Sequence, residues 1–168
     1  MSARTFRPVR RIALGLAAAV CGTVAAGLPA HAMPLSCPVP ANRDITVTRT
    51  VFDTGHRLGV SDKVLLAGFE TGWVESHMNN LSCGDRDSLG VFQQRPSEGW
   101  GTPEEIMDVA HAATSFFTRA VNAENKHPGY TAGQVAQAVQ VSAFPSRYDE
   151  AQPKALSLLA ELRPPAMT

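Results

Sequence analysis

Apolar residues recur at helical spacing along most of the chain. From Ile45 to Leu58 they alternate with polar residues at this spacing, and Gly59 follows where the helix would end. Ser61 is a good N-cap for a second helix, whose apolar positions continue to about Ser76. The pattern predicts two successive helices, of which the second is central to the domain.

Two further helical regions lie in the C-terminal half. Thr102 and Pro103 supply an N-cap and a first-turn proline for a region that stops before His127. The capping-box pattern of residues 131–134 opens a helix that is broken near Pro145. Both starts carry the residue types that satisfy free backbone N–H groups at a helix end.

The remaining segments complete a mainly α-helical domain. Residues 148–162 predict a last helix, which carries Pro153. Residues 79–101 have neither the helical nor the strand period and are rich in Asn, Gly, Asp and Ser, which predicts a long structured loop. Three prolines make residues 33–44 an extended lead-in. No alternation requires a sheet, so we expect one all-α domain over residues 45–168.

The first 32 residues have the organisation of a secretory signal peptide. Four arginines precede an apolar run that ends in Ala30-His31-Ala32, which predicts cleavage between Ala32 and Met33. A retained membrane anchor is the alternative, but the run has only about 17 residues where a span needs roughly 20. An arginine pair, Arg10-Arg11, leaves the export route open.

Composition and charge narrow the choice of partners. The chain is 44% apolar and 18% charged, as in ordinary globular proteins. Removing residues 1–32 leaves 11 basic and 15 acidic residues, a net charge of −4. Without a cluster of Lys and Arg, this charge argues against nucleic acid as a partner. We also expect no stable membrane association after cleavage.

The cysteines indicate one disulfide. Cys21 leaves with the signal peptide, and Cys37 and Cys83 remain as a pair in an oxidising compartment. A bridge between them would tie the lead-in to the long loop. The alternative is a cysteine nucleophile with His111 or His127 as its base, for which no local signature exists.

Glu75 is the candidate catalytic residue. It lies near the C-terminal end of the second helix, where the helix dipole disfavours an anion; the apolar residues nearby that would shield it from water are Trp73, Val74 and Phe92. A carboxyl group kept protonated in this way can donate a proton to a glycosidic oxygen. The alternative is a solvated glutamate at a helix end. Glu70 points about 140° away from Glu75 and cannot form a dyad with it.

The polar residues after Glu75 resemble a known motif. In order, they are Glu75-Ser76, Asn79-Asn80, Ser88 and Gly90-Val91-Phe92-Gln93-Gln94-Arg95-Pro96. This order resembles the E-S…N…S…G-L-M-Q…P motif of soluble lytic transglycosylases, which belong to the lysozyme-like superfamily. The longer stretch ESHMNNL…CGDRDSLGVFQQRPS…GWG looks like a group of secreted actinobacterial proteins, distantly related to resuscitation-promoting factors. The similarity covers roughly residues 45–160 and is most specific in residues 69–101.

The resemblance implies a lysozyme-like fold and roles for individual residues. Glu75 matches the family's catalytic acid, which protonates the glycosidic oxygen and then acts as base. Ser88 matches a serine that contacts the substrate N-acetyl group, and Gln93 matches a glutamine that lines the cleft; both side chains can donate and accept hydrogen bonds. Stabilisation of the loop is the alternative role for Ser88 and Gln93.

The chain departs from the family in one segment. The family's A-Y-N-A-G sequence, in which tyrosine and asparagine line the cleft, aligns best with residues 141–144, which read Val-Ser-Ala-Phe. Neither side chain is kept. Tyr130 and Tyr148 are the tyrosines able to replace the missing one.

Three loop residues have two alternative roles each. Asp85 or Asp87 would activate water in an inverting hydrolase, whose carboxyl groups lie roughly 6.5 to 9.5 Å apart, whereas a transglycosylase uses the sugar's own 6-hydroxyl. Otherwise they cap turns and pair with Arg86 or Arg95. Trp100 either stacks on a sugar ring or fills the core beneath the loop.

The sequence therefore predicts a secreted, monomeric peptidoglycan lytic transglycosylase or lysozyme-type muramidase associated with the cell wall. It would cleave the β-1,4 bond between N-acetylmuramic acid and N-acetylglucosamine with Glu75 as acid and base. We expect neither a metal nor another cofactor, because no His or Cys has metal-ligand spacing. A non-catalytic glycan-binding module on the same fold is the alternative, and a secreted structural protein is a third possibility.

Overall fold

The computed structural model describes residues 37–163, so the predicted signal peptide of residues 1–32 lies outside the described part. The helices are α1 Ile45–Leu58, α2 Asp62–Ser76, α3 Pro103–Met107, α4 Val109–Lys126, α5 Ala132–Gln140, α6 Arg147–Glu150 and α7 Gln152–Leu162, with a 3-10 turn at Pro96–Glu98. Over residues 37–163 there is no strand, and a single antiparallel bridge joins Leu89 and Gln94. The prediction of a mainly α-helical chain is confirmed. Among these helices, none is both long and apolar enough to span a membrane.

The first two helices have the predicted limits. Gly59 ends α1 in the left-handed conformation, with φ of 64°. The Ser61 hydroxyl accepts the N–H of Val64 at 3.1 Å and so caps α2. After Ser76 the chain turns sharply at His77, where φ is 50°. This turn carries the chain from the end of α2 into the long loop.

Helix α2 lies at the centre of the domain, as its apolar pattern predicts. It packs against α1, α4, α5, α6 and α7. Phe69 of α2 is fully buried, as are Phe116 and Phe117 of α4. Helices α2 and α4 approach closely at Gly68, because a Cβ atom there would lie 2.5 Å from the Phe117 ring. The site residues at the end of α2 therefore belong to a helix that is packed on several sides.

Two predicted helices are each divided. Asp108 interrupts the region after Thr102: it ends α3, and its carboxylate accepts the N–H groups of Ala110 and His111 at 2.9 and 3.0 Å to begin α4. The predicted last helix is α6 followed by α7, with Ala151 between them. Pro153 lies in the first turn of α7, where a missing N–H group leaves no hydrogen bond unmade.

The predicted disulfide between Cys37 and Cys83 is present, with 5.5 Å between the Cα atoms. Residues 37–44 lie alongside the turn at the end of α2. The carbonyl oxygen of Pro40 lies 2.8 Å from a ring nitrogen of His77, and the Asn79 amide donates to the carbonyl of residue 42 at 3.0 Å. The lead-in therefore stabilises the turn through these hydrogen bonds, and it stabilises the loop through the disulfide.

Candidate active site

The long loop is fastened to α2 by the residue that follows Glu75. Ser76 is fully buried, and its hydroxyl donates to the Val91 carbonyl at 2.7 Å. The same oxygen accepts the N–H of Asn79 at 3.1 Å. From the opposite side, the Gln140 amide of α5 donates to the Phe92 carbonyl at 2.9 Å. The G-V-F segment is therefore fixed between α2 and α5, beside Glu75.

A cleft of about 710 Å³ opens between the end of α2, the loop, α4 and the α5–α6 segment. Of the six residues predicted to be catalytic or substrate-binding, five line it, namely Glu75, Asp85, Ser88, Gln93 and Trp100; Tyr148, a candidate to replace the family's tyrosine, lines it too. The lining also includes Val141 and Ser142, from the segment that aligns with the family's A-Y-N-A-G sequence. Residues distant in sequence are thus brought to one surface.

The Glu75 carboxylate is held by two donors from α6. Its side chain is 14% exposed, and Oε1 accepts the hydroxyl of Tyr148 at 2.7 Å. Arg147 donates an Nη2 hydrogen bond to the same oxygen and forms an ion pair with it. Two hydrogen bonds to one oxygen fix the orientation of the carboxyl group in the cleft wall.

Burial and charge set the protonation of the two donors. Burial raises the pKa of Tyr148 well above its usual range, and the negative charge of Glu75 raises it further, so the phenol keeps its proton. Burial is the largest single influence on the pKa of Arg147 and lowers it, but the Glu75 carboxylate and Tyr148 together outweigh burial and the net shift is upward. Both groups therefore remain donors to Glu75.

The apolar surroundings expected for Glu75 are found only in part. Val74 lines the cleft beside it. Phe92 instead lies in the core, stacked on Phe116 with ring centroids 4.7 Å apart, because the loop turns its ring inward. Trp73 stacks on His77 at 4.4 Å. Within residues 37–163, the hydrogen-bond partners of the Glu75 carboxylate are a guanidinium and a phenol.

Gln93 and Ser88 both face the cleft and support the loop. The Gln93 amide donates to the carbonyl oxygens of Cys83 and Gly90 at 3.2 and 3.1 Å. Gly84 is pressed against both residues: a Cβ atom there would lie 1.9 Å from Gln93 Oε1 and 2.8 Å from Ser88 Cβ. Any larger residue at position 84 would push this cleft wall apart.

The structure separates the two loop aspartates. Asp87 accepts hydrogen bonds from Arg95 Nε at 2.7 Å and from the N–H of Ser97 at 2.9 Å. The Ser97 N–H, followed by the Arg95 guanidinium, holds the pKa of Asp87 well below its usual range. Asp87 is absent from the cleft lining, whereas the Asp85 side chain lines it and is 91% exposed. Asp87 thus has the contacts of a loop-stabilising residue.

Trp100 lies in the cleft wall beneath an arginine. The Arg119 guanidinium sits 3.5 Å from the centre of the indole ring, and its Nη2 donates to the Gly99 carbonyl at 2.9 Å. One face of the indole is covered by this cation, so at most one face is left for a sugar ring.

Sequence reasoning missed the cationic part of the site. Arg147 and Arg119 line the cleft, yet neither belongs to the motif around Glu75. Of the two tyrosines able to replace the family's tyrosine, Tyr148 lines the cleft, whereas Tyr130 stacks on His127 and is not part of the cleft lining. The available signal is the adjacent pair Arg147-Tyr148, which lies at the start of α6.

Comparison with known proteins gives no match, either to a protein-family model or to a curated protein. A functional assignment must therefore rest on the cleft residues and on the motif that begins at Glu75. Over residues 37–163 there is also no group of three His, Cys, Asp or Glu side chains placed to hold a metal ion.

Proposed function

We propose that the protein is a secreted peptidoglycan lytic transglycosylase with a lysozyme-like fold, which acts as a monomer at the cell wall. The observation that carries this proposal is that Glu75 shares one cleft with Ser88, Gln93 and Trp100. Glu75, Ser88 and Gln93 match the family's acid and substrate contacts, and Trp100 adds an aromatic ring suited to sugars. The hydroxyl and amide side chains of Ser88 and Gln93 suit the hydroxyl and N-acetyl groups of a glycan strand.

The hydrogen bonds at Glu75 support its role as the acid. Arg147 and Tyr148 both donate to Oε1, so a proton carried by this carboxyl group has to sit on Oε2. Among the described residues, Oε2 accepts no hydrogen bond and is free to meet a substrate. In the first step, the Oε2 proton passes to the glycosidic oxygen as the bond from that oxygen to C1 of N-acetylmuramic acid breaks.

In the second step, the Glu75 carboxylate removes the proton from the sugar's 6-hydroxyl, whose oxygen attacks C1. The product is a 1,6-anhydro sugar, and the carboxyl group has regained its proton. No second carboxylate is needed, which agrees with the engagement of Asp87 by Arg95 and Ser97. A muramidase reaction with water would use Asp85, the exposed carboxylate in the cleft. Neither route requires a cofactor.

One observation favours a different function, a non-catalytic module that binds cell-wall glycans. Glu75 forms an ion pair with Arg147, which is an interaction of the charged carboxylate, whereas the first step requires the protonated acid. Catalysis therefore requires that substrate binding loosen the pair. A binding module would keep the pair permanently and would use the cleft only to hold the strand.

A Glu75→Gln variant separates these functions. The amide keeps the size of the side chain but cannot act as acid, so an enzyme should still sediment with peptidoglycan and should release no soluble fragments. Glu104→Gln, an exposed change in the first turn of α3, is the matched control and should behave as wild type. Binding by all three proteins with no release by any would favour the module. Equal release by wild type and Glu75→Gln would refute the acid role.

A further inference from the structure

The three arginines in the cleft differ in their partners. Arg95 is paired with Asp87 at 2.7 Å and with Glu98 at 2.8 Å. Arg147 is paired with Glu75. Arg119 also lines the cleft, yet among residues 37–163 no carboxylate lies within ion-pair distance of it. It is the cleft arginine whose charge the described part of the chain leaves uncompensated.

Arg119 is held in position despite lacking an anion. It is half-buried, its guanidinium is stacked on Trp100, and one of its five N–H groups donates to the Gly99 carbonyl. Burial lowers the pKa of Arg119, because desolvation is not offset by a neighbouring negative charge, although an arginine remains charged at any physiological pH. The remaining N–H groups of a fixed, planar guanidinium are well suited to bind a carboxylate through two parallel hydrogen bonds.

Among the described residues, the surface on the far side of Arg119 has no acidic groups, unlike the cleft itself, which Glu75, Asp85 and Glu98 line. Arg119 and Val139 form a boundary between the cleft and a second hollow of about 440 Å³. Lys126 and His127 line this hollow, and none of its lining residues is Asp or Glu. An anionic group bound at Arg119 would therefore meet no repulsion on this side.

We propose that Arg119 binds a carboxylate of the glycan substrate and makes the cleft selective for acidic glycans over neutral ones. This inference rests on the proposed function and names its substrate class. In a peptidoglycan strand the carboxylate has two sources: the lactyl group of an N-acetylmuramic acid that carries no peptide, or the peptide itself, which is joined to that lactyl group by an amide bond and brings its own carboxylates. In this arrangement the Arg119 guanidinium stacks on Trp100, and the N–H groups of the guanidinium donate hydrogen bonds to the ligand carboxylate.

The test is a binding titration in the Glu75→Gln background, which prevents cleavage. The ligands are peptide-bearing glycan strands, strands from which an amidase has removed the peptides, and neutral β-1,4-linked N-acetylglucosamine oligomers. Arg119→Gln should weaken binding of the carboxylate-bearing ligands about 10- to 100-fold, the range for losing a hydrogen bond to a charged group, with little change for the neutral oligomer. Arg57→Gln, on the exposed side of α1, is the control and should change neither.

The ligands and a second variant make the outcome decisive. A loss seen with peptide-free strands assigns the lactyl carboxylate, and a loss confined to peptide-bearing strands assigns the peptide. Arg119→Lys keeps a cation in the cleft but loses the planar pair of donors and the stacking on Trp100, so it should retain only a part of the preference for acidic ligands. An equal loss for acidic and neutral ligands, or no loss, would overturn the role of Arg119 alone. Failure of the parent protein to bind any glycan would overturn the proposed function with it.

Discussion

Glu70 is a carboxyl group enclosed in the protein core. It lies in α2 with none of its surface exposed, and neither oxygen has a hydrogen-bond partner within the described residues. Burial, followed by the charge of the Asp149 carboxylate, raises the pKa of Glu70 from 4.5 to about 8. The nearby Gln152 amide offsets a part of this shift, although it makes no hydrogen bond of normal geometry. At neutral pH this residue is therefore a neutral acid.

The shift predicts how stability depends on pH. The folded-state pKa is above the unfolded value, so between the two the native protein holds a proton that the unfolded chain has lost. The contribution of Glu70 to the free energy of unfolding is then fully present at low pH and falls as pH rises, by about 1.4 kcal/mol per pH unit. From pH 5 to pH 8 the loss amounts to roughly 3 to 4 kcal/mol.

The perturbation is Glu70→Gln, which replaces the acid by an uncharged side chain of the same shape. Urea unfolding followed by circular dichroism from pH 5 to pH 9 gives the free energy of unfolding of each protein. The wild-type free energy should fall relative to that of the variant as pH rises, whatever their difference at pH 5. Exposed Glu104→Gln should follow wild type. Parallel curves for wild type and Glu70→Gln would refute the reasoning.

Three further changes test individual contacts. Replacing Cys37 and Cys83 together by serine should lower the free energy of unfolding by about 4 kcal/mol in the chain-entropy model, because the bridge closes a sequence separation of 46; denaturant titration in oxidising buffer measures this. Tyr148→Phe removes a neutral donor to Glu75 and should lower kcat about 10-fold with little change in KM, measured by release of soluble glycan fragments. Asp87→Asn should speed hydrogen exchange at the Ser97 amide, which donates to that carboxylate, without reducing glycan binding.

The features that could be predicted from the sequence are those set by neighbouring residues. Capping by Ser61 and the left-handed Gly59 are local signals, and they gave the limits of α1 and α2. The disulfide followed from a count of the cysteines left after the signal peptide. Asp108 is also a good N-cap. The helical spacing of apolar residues continues across it, however, so the sequence predicted one helical region where the structure has α3 and α4.

The features that could not be predicted depend on contacts between distant parts of the chain. Arg147 and Tyr148 reach Glu75 across 72 and 73 residues, and only the packing of α6 against α2 brings them together. The stacking of Arg119 on Trp100 likewise requires α4, which carries Arg119, to lie next to the loop that carries Trp100. Neither pairing has a local pattern, since an arginine on a helix is usually solvated.

The central claim is that Glu75 is the acid and base of a transglycosylase. Its most direct test is mass spectrometry of the soluble muropeptides that residues 33–168, as wild type and as Glu75→Gln, release from purified peptidoglycan. The account predicts 1,6-anhydro muropeptides, lighter than hydrolysis products by one water, from wild type alone. Products with reducing ends would instead indicate attack by water. Anhydro products from both proteins, or no product from folded wild type, would contradict the claim.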